Sequence, residues 1–251
     1  MTTELQKPPP EVHALEHRHH SMIDPHRKGA SGLSDIILGG QDGLVNVLGV
    51  ILGVAAASGD TRLVLVAGLA ATFAESVSMG AVAYTSTMAE ADYYDSERER
   101  EHRHIRHVPM LERSEVLQIY AEKGFEGELL TRIVDTITAD AQVWVAIMMS
   151  EEHGLMHVNR RGALKSALVV GISAIVGSLI PLAPFAVFPV RISMAVSVLV
   201  TAAVLFAVGA YKARLTVGNP GRSGLEMALI GTLSALVGYG VGALLEIPPL
   251  P

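Results

Sequence analysis

Residues 63–107 constrain this chain more than any other stretch, because they read as one helix that begins in an apolar phase and ends in water. The first half, LVLVAGLAATFAESVSMGAVAYTSTM, is apolar enough to cross the roughly 30 Å hydrocarbon core of a bilayer. The second half, AEADYYDSEREREHRHIRH, holds no proline or glycine to stop the helix and is dense in carboxylates and imidazoles. Pro109 ends it. At about 1.5 Å per residue the element is roughly 65 Å long, about twice the hydrocarbon thickness. Its wet half can gather cations, and its dry half carries Glu75 and Met79 one turn apart at i,i+4.

Composition agrees. Half of the 251 residues are hydrophobic, 18% are charged and the mean hydropathy is +0.39, which points to a polytopic membrane protein rather than a soluble enzyme. A formal charge of -6 argues against a nucleic-acid partner. The absence of cysteine excludes disulfides, CxxC redox chemistry and thiolate metal sites, so carboxylate, imidazole and thioether are the ligands that remain. Residues 1–34 form a polar arm without the apolar core of a signal peptide. Its His13, His17, His19 and His20 can scavenge metal, but a flexible arm fixes no geometry and they point only weakly to a site. The lack of targeting signals and the compact length suit a prokaryotic plasma membrane.

The expected fold is all-α, with five transmembrane helices and a cytosolic helical insert between spans two and three. Residues 35–57 form span one, and Ser58, Gly59 and Asp60 turn directly into span two, so these helices are antiparallel neighbours. The insert covers residues 89–161. Its helical stretches are predicted at 112–123, 126–138 and 140–153, with Val116, Ile119 and Tyr120, then Leu129, Ile133 and Ile137, at helical spacing. Spans three to five are predicted at 163–181, 190–211 and 225–245, before a short tail, 248–251. Lys and Arg crowd the arm, the insert and the link KARLTVGNPGRSG, whereas Arg62 and Arg191 stand alone at the other two links. The N-terminus and insert are therefore expected in the cytosol and the C-terminus outside.

Several polar residues fall inside the apolar runs. Asp42 and Asn46 lie one turn apart in span one, and Glu75 sits in span two beside Met79. A carboxylate at membrane depth costs several kcal/mol unless it meets water, a cation or a partner, so these four residues read as a permeation path or as a structural hydrogen-bonded cluster. The thioether of Met79 is either core filler or a ligand that favours softer transition ions. Gly49 and Gly53 form a GxxxG pair suited to close packing or dimerisation. In the insert, Glu97, Glu101 and His104 share one helical face, Glu112 and Glu115 are at i,i+3, and Met148 and Glu152 at i,i+4, with Met149 alongside. Glu101 and His104 have the i,i+3 spacing of carboxylate-bridged di-iron bundles. The run SERERE also reads as a solvated face held by Glu–Arg pairs.

In their order, the segments ILGGQDGLVNVLGVILG, ESVSMGAVAY, EVLQIYAEKGF and MMSEEHGL resemble the VIT1/CCC1 family of vacuolar iron transporters across residues 35–245. The resemblance implies a homodimer that moves ferrous iron, and often manganese, out of the cytosol in exchange for protons, along a path between the two first spans. It places Asp42 and Met79 on that path, and Glu101, Glu112, Glu115, Met148, Met149 and Glu152 at metal-capturing positions. Two departures stand out. His104 occupies a position where the family has a glutamate, and Ala83 stands where many members have one, so Glu75 is taken as the substitute carboxylate. The function expected is divalent metal export with no prosthetic group and no enzymatic step. Its rivals are a membrane-anchored ferritin-like or ferroxidase protein and a metal sensor.

Overall fold

A computed structural model describes residues 30–216 and 218–245. The N-terminal histidines and the C-terminal tail lie outside them. Every regular element among the described residues is helical. The order is α1 (Ala30–Ser58), α2 (Thr61–His107), α3 (Pro109–Glu122), α4 (Gly127–Thr138) and α5 (Ala141–Ile147), which runs into a π turn at Met148–Glu152. A short 3-10 turn at Arg160–Gly162 then leads into α6 (Ala163–Leu182), α7 (Val190–Leu215) and α8 (Pro220–Leu244). Five of these, α1, α2, α6, α7 and α8, are long and apolar enough to cross a membrane.

α2 is one unbroken helix of 47 residues, about 70 Å long. Gly59, at φ +63°, turns the chain out of α1, and the Asp60 carboxylate then caps α2 by accepting from the N–H groups of Arg62 and Leu63 at 2.6 and 3.1 Å. At the far end Pro109 lacks the N–H that would continue the ladder and pushes Val108 out of helical geometry. The same ring suits the first position of a helix, so α3 starts there, three residues before the predicted start.

α1 is the centre of the membrane bundle and packs against α2, α6, α7 and α8. Glycine makes two of these approaches possible. A Cβ at Gly39 or Gly43 would overlap the carbonyls of Val170 or Ala174 on α6, and one at Gly238 or Gly242 of α8 would overlap the carbonyls of Gly49 or Gly53. The Gly49/Gly53 pair therefore meets a second GxxxG pair within the same chain. Between these seams Val47, Ile51 and Ala55 pack with Val64, Leu182 and Phe185. Where α6 runs out of its own donors, Ser197 and Ser193 of α7 donate to the Pro181 and Pro184 carbonyls at 2.6 and 3.0 Å.

The insert has its own apolar core of Val116, Val134, Ile137, Trp144 and Met148, with Tyr120, Leu130 and Ile133 around it. Leu129 is 56% exposed, and Leu130 takes the place predicted for it. A helix of about 3.6 residues per turn puts 130, 133, 134 and 137 on one stripe, whereas steps of four from 129 drift off it. α4 and the stretch from α5 through the π turn meet at 112°, with the Asp140 carboxylate capping α5 at the bend. Membrane helices differ from prediction mainly at their wet ends. α7 continues four residues further, to Leu215, and α8 starts five earlier, behind the Asn219 cap, because polar turns extend a helix beyond its apolar window.

The glycine seams make a testable claim. Gly242→Ala should lower the thermal unfolding midpoint in detergent by several degrees, since overpacking costs ~1–3 kcal/mol. Gly240→Ala, where an added Cβ meets nothing within 4 Å, should leave it unchanged, and equal effects would refute the seam.

Candidate metal centre

Three elements bring titratable groups to one place. The face of α2 beyond the bilayer carries Glu97, Glu101 and His104, the first two turns of α3 carry Glu112 and Glu115, and the π turn delivers Glu152 and His153. Together they line a cavity of about 340 Å³ with Arg100, Val108 and Leu111. The His153 Nε2 lies 3.0 Å from Glu101 Oε1, and the His104 Nδ1 lies 3.3 Å from Glu112 Oε1 and 3.7 Å from Glu101 Oε1. Two sets of donor atoms fall within 4.8 Å of one another, Glu101/His104/Glu112 and Glu101/Glu152/His153, with Glu101 in both. That is the density of oxygen and nitrogen donors a divalent cation needs.

Burial decides how these groups behave. Glu101 and Glu112 are 2% and 3% exposed, and the Oε2 atom of each has no hydrogen-bond partner among the described residues. Desolvation, followed by the charges of Glu101, Glu115 and Glu152, pushes Glu112 up to about 7. Glu152 is raised as well, chiefly by desolvation and then by Glu115 and Glu101, against the pull of His153 and His104. For His153 burial acts downward, but the Glu101 hydrogen bond and the charges of Glu152, Glu101 and Glu97 outweigh it and hold the imidazole above its usual range. A metal entering the cavity would therefore displace a proton that Glu112 holds toward neutral pH.

The other predicted residues are distributed unevenly. Glu97 is buried at the cavity wall but pairs with Arg100 at 3.0 Å, so the Glu–Arg reading of SERERE applies to it. Glu115 lines the cavity. Met148 sits in the apolar core of the insert, Met149 is buried too, and neither lines the cavity. His153 was not singled out in the sequence. Glu152 closes the π turn and His153 caps it, and the donor atoms of both lie within 4.8 Å of Glu101.

At membrane depth, Asn46 Nδ2 donates to Glu75 Oε1 at 2.8 Å and ties α1 to α2, with the Asp42 carboxyl neighbouring Glu75. Asp42 and Gln41 also line an open groove of about 210 Å³ with Leu38, Val45 and Ile230. Asn46 is exposed and Met79, one turn on from Glu75, is half-buried. Along α2, Glu75 and Glu101 are 26 residues apart, about 39 Å.

Fold and site together define an all-helical integral membrane protein whose second span continues without a break into an acidic helical insert. Residues 33–243 match the VIT family, and the chain belongs to it. It is 34% identical over 229 residues to vacuolar iron transporter 1 of Oryza sativa subsp. japonica, spanning 91% of each chain. To the vacuolar iron transporter of Centaurea cyanus it is 35% identical over 217 residues, 86% of this chain and 89% of that one. To that of Plasmodium falciparum it is 28% identical over 246 residues, 94% and 90%. These relatives are named for the vacuole, and they lend the expected prokaryotic plasma membrane no support.

Acid should stabilise the empty cavity. A carboxyl whose folded-state pKa is raised contributes stability below its ordinary value of 4.5, and that contribution is lost as pH climbs through about 7. With a chelator present, the unfolding midpoint in detergent should fall between about pH 5.5 and about pH 8, and Glu112→Gln should flatten that slope. An undiminished slope in the variant would remove Glu112 from the account.

Proposed function

We propose that this protein carries divalent metal ions, ferrous iron foremost and manganese as a second cargo, out of the cytosol in exchange for protons. The observation that carries the reading is that one unbroken helix places Glu75 at membrane depth and Glu97, Glu101 and His104 at the wall of the acidic cavity. The names of the relatives supply the metal.

Ions collect on Glu97, Glu101, His104, Glu112, Glu115 and Glu152, then enter the membrane beside Glu75 and pass Met79, Asp42 and Asn46. A carboxylate cannot hold a proton and a cation at once, so Asp42 or Glu75 alternates between them and couples the two flows. Met148 and Met149, predicted as ligands, would have to leave the interior of the insert to reach the cavity. We read the protein as a homodimer, because Asn46 is exposed and Asp42 opens sideways at a depth where polar groups facing lipid cost several kcal/mol. A second copy laid over this face would cover them. The insert is assigned to the cytosol because, among the described residues, Lys and Arg other than Arg62 and Arg191 lie in the insert or at the insert-side ends of the spans. A ferroxidase of the di-iron type calls for a Glu-x-x-His pair on each of two helices, and the cavity supplies one, Glu101/His104.

Reconstituted into vesicles with an opposed pH gradient, the wild-type chain should take up ferrous iron and manganese, with flux reversing when the gradient is reversed. Asp42→Ala should reduce flux to background while metal binding to the detergent-solubilised protein persists. Wild-type flux in that variant would discard the pathway, and rapid oxidation of ferrous iron in air without flux would favour the ferroxidase.

A further inference from the structure

We propose that His153 is a metal ligand, and that with His104 it sets the cavity's preference for ions that bind nitrogen well, ferrous, cobalt and zinc, over manganese, magnesium and calcium. This rests on the reading that the cavity takes a divalent metal, and adds to it which residue selects among metals.

Three observations converge on His153. Its Nε2 is 3.0 Å from Glu101 Oε1, and it belongs to a donor set with Glu101 and Glu152. An ion pair with Glu101 does not explain the site, because that pairing occupies one oxygen and leaves the buried Glu101 Oε2 and Glu112 Oε2 without partners among the described residues. Two orphaned carboxylate oxygens, each on a side chain nearly closed to solvent, are what a cation would satisfy. The backbone is also shaped for this side chain. The His153 N–H bonds back to the Met148 carbonyl at 3.2 Å, five residues earlier, and the Leu155 N–H reaches the Met149 carbonyl at 2.8 Å. Such an underwound turn is uncommon and concentrates at functional sites. Here it swings His153 toward Glu101, and Gly154, at φ +63°, then ends the helix.

His104 provides the second nitrogen, between Glu101 and Glu112. Glu101 thus has an imidazole on each side. Carboxylates alone bind magnesium, calcium and manganese as readily as their charge allows, whereas imidazole favours later transition ions. Two nitrogens in an otherwise oxygen-lined cavity shift its order of affinities without changing its shape.

The test uses full-length protein in detergent, titrated with cobalt(II) by its visible absorption and with manganese by competition. His153→Ala should weaken cobalt at least about tenfold and manganese less than about threefold, with a change in the cobalt spectrum. His153→Gln is the decisive variant, because its amide can donate the same hydrogen bond to Glu101 but offers no imidazole. If His153 ligates, Gln behaves as Ala does. Recovery of wild-type cobalt affinity in the Gln variant, or equal losses for cobalt and manganese in the Ala variant, would reduce His153 to a positioning residue and overturn the proposal. Failure of the wild-type cavity to bind either metal would overturn this inference and the capture step together, while vesicle flux reports on transport separately.

Discussion

The continuity of α2 is the constraint on which the rest depends. A helix without proline in its interior, capped by Asp60 at one end and stopped by Pro109 at the other, is a stiff rod about 70 Å long. Along it Glu75 and Glu97 are separated by about six whole turns, and Glu75 and His104 by about eight, so all three sit near one side of an ideal helix. The polar group at membrane depth and the wall of the cavity are thereby held in fixed register. The returning chain is fastened to the same rod, since Arg160 bonds Asp92 and Asp95 at 2.7 and 2.6 Å just before α6 enters the bundle.

Electrostatics separates the cavity from the remaining charge on the insert. Arg113–Asp135 and Lys123–Glu151 are short pairs at 2.6 and 2.5 Å, but they are solvent-exposed and each is worth only ~0–1 kcal/mol. Inside the cavity five carboxylates face one arginine and two imidazoles, and desolvation together with the neighbouring carboxylates pushes Glu112 up to about 7. Glu151 and Glu152 show the contrast at adjacent positions. One pairs with Lys123, and the other lines the cavity beside Glu115 and Glu101.

Periodicity and apolar run length were enough to recover five spans, the long second helix and a helical insert, because these depend on burying apolar surface and are written in residue type alone. The details that escaped are those that depend on neighbours. Spacing alone puts Leu129 with Ile133 and Ile137, whereas the packing of α4 against Val116 and Trp144 takes Leu130. The resemblance puts the methionines at 148 and 149 among the metal-capturing positions, but the insert has a small core and Met148 packs in it. His153 follows a π turn, and that local pitch is not legible from a run such as MMSEEHGL, in which nothing but Gly154 marks a break.

The glycine seams bear on how two copies would meet. A GxxxG pair on an isolated span reads naturally as a dimer contact, yet Gly49 and Gly53 are occupied by Gly238 and Gly242 of the same chain, and Gly39 and Gly43 by α6. α2 flanks what is left, through the Asn46–Glu75 hydrogen bond. The uncovered strip of α1 between α2 and α8 then holds Leu38, Gln41, Asp42 and Asn46. A dimer built on it would be joined by a polar face rather than by close backbone packing. Polar groups at that depth favour cover by protein over exposure to lipid, so in the proposed carrier the groups that hold the two copies together are those the ion must pass.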